Sequence, residues 1–179
     1  MSLTQTKEPD LSTYEPVVDE SKLRQTLGHF GTGVVIVCAT DENNEPTGMA
    51  INSFSSVSLR PPLISFCIAH DSSTWPKIAA ASAFSVNILS EAQLPLGRKF
   101  SKRGIDRFAG VDWFPGQSGA PLLSESTAWL ECEIYDQVPA GDHQVILGRV
   151  KHLDVGDPQR TPLMFFQSRF FGLRSVPNS

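Results

Sequence analysis

Three segments of this chain concentrate side chains able to do ligand chemistry. The first is Asn52-Ser53-Phe54-Ser55-Ser56-Val57-Ser58, with four hydroxyls and one amide in seven residues and Gly48 just upstream. A backbone with such donors can follow a polyhydroxyl chain or a phosphate, both of which demand many directional hydrogen bonds. The same composition also suits a plain serine-rich edge strand. The second segment is the basic run Arg98-Lys99-Phe100-Ser101-Lys102-Arg103. Its cations can meet a phosphate and its phenyl ring can lie against another ring. As a helix end it would also be favoured by the macrodipole with no ligand at all. The third is Gly141-Asp142-His143, where a glycine turn can set an imidazole at a rim within reach of a second ligand. An ordinary polar turn has the same composition.

Other chemistries are excluded or weakly supported. Gly31-Thr32-Gly33 opens like a dinucleotide fingerprint, but no third glycine follows and Val34 to Val37 favour a strand. The fingerprint must instead open a helix whose dipole faces phosphate. His29, His70, His143 and His152 form no i, i+4 pair and have no cysteine nearby, so no metal site is expected. No GxSxG elbow is present. The net charge of −4 lacks the electrostatic footprint of a nucleic-acid binder.

The elements that must carry these segments follow from periodicity and punctuation. A chain of 179 residues is the size of one domain. Residues 1–18 read as a mobile polar arm and 19–175 as the domain. No apolar stretch is long enough to span a bilayer, and no signal peptide is expected in MSLTQTKEPDLSTYEP. Cys38, Cys67 and Cys132 lie apart in apolar runs, as small buried hydrophobes in a reducing cytoplasm would. A helix is expected from Asp19 or Ser21, with Leu23, Leu27 and Phe30 as its buried stripe and Gly28, Gly31 and Gly33 ending it.

Val34 to Ala39 reads as a fully buried strand, residues 41–46 as a turn, and Thr47 to Ser58 as one extended segment. A strand over Leu63 to Ala69 and a helix over Ser72 to Ala81 follow, the latter capped by Ser72 or Ser73. After a strand from Phe84 to Leu89, Ser90 and Gln93 form a capping box for a helix towards Phe100. Residues 104–121 read as loop. In Ala128 to Tyr135 the even positions are apolar and face the core, while Glu131 and Glu133 face outward. The hairpin turns at 139–142 and returns over His143 to Leu153, and a last strand, Leu163 to Phe171, carries four phenylalanines. Six or seven strands with short helical inserts imply a mainly β antiparallel barrel with a few flanking helices.

Taken in order, several stretches resemble the flavin reductases that serve two-component monooxygenases. They are LGHFGTGV (27–34), GMAINSFSSVSLRPPL (48–63), FSVNIL (84–89), Phe100-Ser101, RFAGV (107–111) and AGDH (140–143). The resemblance implies a split β-barrel of Greek-key type that forms a homodimer and binds FMN or FAD, with NADH or NADPH as electron donor. It implies flavin contacts at Ile51, Asn52, Ser53, Ser56, Val57 and Ser58, and less securely at Thr32. Ser72, Ser73 and Thr74 would reach the flavin's polar tail, and Phe100, Ser101 and Lys102 its phosphate or adenine. His143 would position the nicotinamide, with Phe170 or Phe171 covering it. Ala50 stands where such proteins often carry threonine, so one hydroxyl near the ring is missing. The implied activity is reduction of free flavin for a partner monooxygenase. The alternatives are a flavin storage or sensor protein of the same fold, another split-barrel enzyme, or a structural dimer.

Overall fold

A computed structural model describes residues 18–173. The expected arm lies outside the described residues except for Val18. Asp19 caps α1 (Glu20–Leu27) by accepting the Lys22 N–H at 2.7 Å. Twelve strands follow in the order β1 (Thr32–Gly33), β2 (Val35–Thr40), β3 (Pro46–Ile51), β4 (Ser55–Leu59), β5 (Pro62–Ala69), β6 (Phe84–Ile88), β7 (Trp113–Pro115), β8 (Pro121–Leu123), β9 (Ala128–Ala140), β10 (His143–Val155), β11 (Leu163–Phe166) and β12 (Arg169–Gly172). Helix α2 (Trp75–Ala80) lies between β5 and β6. A single 3₁₀ turn and α3 (Leu94–Phe100) lie between β6 and β7.

Seven strands form one antiparallel sheet in the order β3-β2-β6-β9-β10-β5-β4. β3 and β4 are consecutive in sequence yet occupy opposite edges. Only Asn52-Ser53-Phe54 join them, so Ile51 and Ser55 lie within about 14 Å of each other, four steps of extended chain. The sheet must therefore curl until its two edges meet. Among the described residues no ladder joins these edges, which makes the barrel a split one, with the Asn52–Phe54 link crossing the split.

β2 explains the core. Val35, Val37 and Ala39 pack inside the barrel with Phe66, Phe84 and Ile146, whereas Val34, Ile36 and Cys38 pack outside it against Leu89, Phe100 and Leu163. A strand covered on both faces reads as an unbroken apolar run, which is why its period-2 signal is absent. Asn87 on the neighbouring β6 is fully buried and bridges to β8. Its amide nitrogen donates to Ile36 O at 3.2 Å and Pro121 O at 3.3 Å, and its oxygen accepts the Leu123 N–H at 2.7 Å.

Several expectations are corrected. The expected stripe is not buried: Leu23 and Leu27 of α1 and Phe30, which lies beyond the helix end, are 46, 62 and 77% exposed, and among the described residues α1 buries no side chain. The segment 47–58 is two strands, broken by the edge-to-edge link. Helix α2 starts at Trp75 rather than Ser72, although the Ser72 hydroxyl does accept the Trp75 N–H at 3.2 Å. The loop at 104–121 contains β7 and the start of its partner β8. The last strand is a hairpin turned at Gln167 and Ser168, both with positive φ.

Cys67 is exposed, since Phe66 and Ile68 take the inward positions of β5. Glu131 is only 4% exposed. Burial alone would raise its carboxyl, but hydrogen bonds from the Ser118 hydroxyl and from the N–H groups of Ser118 and Gln117 hold it below the ordinary value. Those donors lie in the loop between β7 and β8, so a strand position that reads as polar and outward instead pins a loop. The box at Ser90 and Gln93 is as expected: Gln93 Oε1 accepts the Ser90 N–H at 2.9 Å.

Asn87→Ala leaves the buried Leu123 N–H without its acceptor and takes one donor each from Ile36 O and Pro121 O, the latter keeping the Ser85 hydroxyl. It is expected to lower the unfolding free energy by about 2–4 kcal/mol, read from urea denaturation. A loss under about 1 kcal/mol would show that the bridge to β8 is not what holds it.

Candidate active site

Two clefts share strand β3. The smaller, about 150 Å³, is lined by Val34, Ala50, Ile51, Asn52, Ser101, Phe165 and Phe170. It is mostly apolar, as suits one face of a planar ring. Phe165 and Phe170 make an edge contact with their centroids 5.2 Å apart, so the β11–β12 hairpin supplies one aromatic wall. Thr32 of β1 pairs with Phe165, and its hydroxyl oxygen is buried with no hydrogen-bond partner among the described residues. A buried hydroxyl without a partner is costly. Thr32 does not itself line the slot but is the strand partner of its wall residue Phe165. An apolar slot with Asn52 and Ser101 at its polar side and an unsatisfied hydroxyl next to its aromatic wall fits a flavin.

The larger cleft, about 370 Å³, lies towards the other end of β3 and is lined by Pro46, Thr47, Gly48, Ser73, Thr74, Lys77 and the Gly104–Phe108 loop. Arg107 is its best-fixed side chain. Its Nε donates to Lys102 O at 2.7 Å, and its Nη1 donates to Gly48 O and to Thr74 Oγ1, each at 2.8 Å. Burial and then the nearby Arg103 charge hold this guanidinium below its ordinary value. It stays protonated regardless.

His143 lines neither cleft. It stands where the β9–β10 hairpin turns, with Gly141 at φ +64, and its side chain is 43% exposed. Its Nδ1 lies 2.7 Å from Asp142 Oδ1, a hydrogen bond that lowers the Asp142 carboxyl. That bond fixes one ring nitrogen and leaves Nε2 to face outward chemistry. The tip is fastened to the end of β5: His143 pairs with Ala69, and the His70 N–H donates to Asp142 O at 3.1 Å. Beside it Asp71 forms a forked pair with Arg103, with N–O distances of 3.1 to 3.2 Å, which holds Asp71 low and Arg103 high.

Of the residues singled out from sequence, Ile51, Asn52, Ser101 and Phe170 meet in the small cleft, and Ser73 and Thr74 in the large one. Ser53 lies at the link, but its hydroxyl accepts the Cys67 N–H at 2.9 Å and so fastens β5. Ser56, Val57 and Ser58 lie on edge strand β4, with Val57 at a bulge, outside both clefts. Ser72 lines neither cleft: its hydroxyl accepts the Trp75 N–H and lies 3.8 Å from Met49 Sδ. Phe100 is 1% exposed with its ring edge-on to Phe108, so it cannot stack on a ligand. Lys102 contributes its carbonyl to Arg107. Phe171 is 45% exposed and flanks Phe166 outside the clefts.

Arg107 and Lys77 were assigned no role from the sequence. The available signal was a lone cation inside a glycine-rich loop, and that becomes meaningful only when the loop folds back onto β3. Among the described residues no helix is long and apolar enough to cross a membrane.

Residues 27–174 match the family described as flavin reductase like domain. The chain is 44% identical to a probable flavin reductase of Rhizobium meliloti (strain 1021) over 75% of its own length, but it spans only 43% of that relative. Its fold matches nitrilotriacetate monooxygenase component B from Mycobacterium thermoresistibile with a TM-score of 0.84 and 37% identity, covering 89% of this chain and 91% of the other. It also matches the Streptomyces globisporus C-1027 NADH:FAD oxidoreductase SgcE6, solved with NAD and FAD fragments. There the TM-score is 0.82 and the identity 37%, covering 93% of this chain and 99% of the other. A short link between opposite sheet edges, an apolar slot beside it and a Gly-Asp-His tip thus occur in a chain that belongs to the flavin reductase like family.

Proposed function

We propose that this chain reduces free flavin at the expense of a reduced nicotinamide and passes the product to a partner monooxygenase. The observation that carries the reading is the small apolar cleft lined by Asn52 of the link and by Phe165, whose strand partner Thr32 has a buried hydroxyl with no partner among the described residues. The kinship with an NADH:FAD oxidoreductase and with a monooxygenase component supports the same reading.

The two bound rings supply the hydride chemistry themselves. The protein's share is placement, which removes orientational freedom before reaction. Val34, Ile51 and Phe170 offer apolar contact to one ring, and Asn52 offers the amide that orients it. Thr32 adds a hydroxyl. His143, held by Asp142, positions the nicotinamide from the hairpin tip with Nε2. Residues 19–175 act as one unit, in a cytoplasm where Cys38, Cys67 and Cys132 stay free thiols.

The active form is a homodimer. Leu23, Leu27 and Phe30 keep the i, i+4, i+7 spacing of a packed stripe but are exposed in the single chain, as expected of a surface that a second copy covers. Sedimentation equilibrium should give twice the 19.6 kDa chain mass.

Aerobic oxidation of NADH or NADPH should require added FMN or FAD. His143→Ala should raise the apparent KM for the nicotinamide about tenfold, an effect of about 1.4 kcal/mol, and leave flavin affinity unchanged. Flavin binding without turnover for any pairing would replace the reductase by a storage or sensor protein. At the flavin side, Asn52→Ala should weaken flavin binding about 5- to 10-fold without unfolding the chain. Ser53→Ala should instead lower stability by about 1 kcal/mol, because its hydroxyl is already engaged with Cys67. The reverse pattern in titration and melting would misplace the site.

A further inference from the structure

We propose that His70 is a positioning residue for His143: from the turn after β5 it clamps the hairpin tip that carries the nicotinamide-facing imidazole. The proposal rests on the reductase reading above and on the role given there to His143.

The tip needs a clamp. Gly141 has φ +64, and His143 lines neither cleft, so no cleft wall fixes where its ring stands. A glycine in the left-handed region is the least restricted point of a chain. The Asp142 carboxylate meets the His143 ring at 2.7 Å, but it belongs to the same tip and moves with it. A hold from another element is required.

His70 supplies that hold twice. Its backbone N–H donates to Asp142 O at 3.1 Å. Its ring Nε2 lies 3.2 Å from Gly141 O. A carbonyl oxygen only accepts, so Nε2 carries the proton in that bond. One residue thus binds two successive carbonyls of the tip, directly beyond the Ala69–His143 pair that ends the β5–β10 ladder.

The same turn is fastened to the cleft side. Asp71, next in sequence, forms the forked pair with Arg103, and the loop that follows Arg103 lines the large cleft. The Asp71 carboxyl is held low by Arg103 first and by His143 as a lesser cause, so the tip and the fork stand close together. Residues 70 and 71 therefore bridge the tip and the cleft loop, and the His70 ring is the part of that bridge that reaches the tip.

The test is steady-state kinetics on wild type, His70→Ala, His70→Gln, His143→Ala and the His70→Ala, His143→Ala double variant. Amide hydrogen exchange over residues 139–144 is followed alongside. His70→Ala keeps the backbone bond to Asp142 O, so the hairpin still forms. It should raise the KM for the nicotinamide about three- to fivefold, less than His143→Ala, and speed exchange at the tip. The KM for flavin should stay within about twofold. A glutamine amide restores a donor near the Nε2 position, so His70→Gln should return the nicotinamide KM to within about twofold of wild type. In the double variant the loss of His70 should add less than about twofold, since a clamp acting through His143 has nothing left to place.

His70→Asn, shorter than glutamine by a methylene, carries the expectations of His70→Ala if that variant fails to fold. Additive losses in the double variant overturn the proposal, because His70 would then act other than through His143. Faster exchange at the tip with an unchanged KM also overturns it, leaving a clamp that serves stability alone. Equal losses in His70→Gln and His70→Ala remove the hydrogen bond as the link. A silent His70→Ala beside an impaired Asp71→Asn transfers the role to the Arg103 fork. An unchanged KM in His143→Ala removes what the clamp would position. A wild type that oxidises no nicotinamide with any flavin sinks the reductase reading and this proposal with it, and the wild-type rate alone tells that failure from the others.

Discussion

Everything functional in this molecule depends on a three-residue connection. β3 and β4 are the outermost strands of a seven-stranded sheet, and the chain allows them only Asn52, Ser53 and Phe54 to reach one another. A link that short forces the sheet to close on itself. It does not force the edges to pair, and here they stay apart. The edge of a sheet carries unpaired backbone groups that ordinarily have to be covered. In this fold the β3 side of that edge lines both clefts, and the link places Asn52 in the smaller one.

The rest of the structure holds that gap in place from outside. Ser53 turns its hydroxyl to the Cys67 backbone, fixing the link to β5. Arg107 reaches from a loop to the carbonyl of Gly48, fixing the other end of β3 to the α2 side of the molecule. Phe100, buried beneath β3 and edge-on to Phe108, sets how closely α3 and that loop approach. Gly48 must lack a side chain for this to work, since a Cβ there would stand 3.1 Å from the Phe100 ring and 2.9 Å from Val37 O. These contacts are local, so each wall of the clefts has its own support.

What the sequence revealed and what it hid divide along physical lines. Strands with both faces covered, such as β2, and the long β9–β10 hairpin were legible because apolar runs and turn residues report burial and reversal directly. Asn52 and His143 were legible as candidates because polar groups near a glycine or in a turn can serve a ligand, whereas Ile51 was named only through the family resemblance. Whether a given hydroxyl is free or spent was not legible. Ser53 and Ser56 look alike in the string, yet one is bound to Cys67 and the other lies on an exposed edge. Phe100 looked like a stacking ring because its neighbours are basic, but a helix places successive residues about 100° apart, and this one points inward. Glu131 misled for the opposite reason: period-2 patterning sends it outward, and only the distant Gln117–Ser118 loop makes its burial tolerable. Arg107 stood in a quoted stretch but received no role, because two of its three partners are backbone carbonyls, which leave no mark in a sequence, and the third, Thr74, is 33 residues away.

The size of the small cleft bears on how the chemistry proceeds. At about 150 Å³ it falls well below the ~300 Å³ or more of a pocket that encloses a drug-sized ligand. One chain therefore grips a tricyclic ring on one side only. A prosthetic group needs enclosure, since each uncovered face forgoes apolar burial worth roughly 25 cal/mol per Å². A carrier that must depart after reduction needs the reverse. On the proposed reading the opposite side of the ring would have to remain reachable by the nicotinamide, and His143 stands exposed at a hairpin tip outside both clefts. Under the same reading the incomplete pocket favours access over retention, and the structural reason is that β3, an edge strand tied to the rest of the barrel by the short Asn52–Phe54 link, lines a slot that one chain does not enclose.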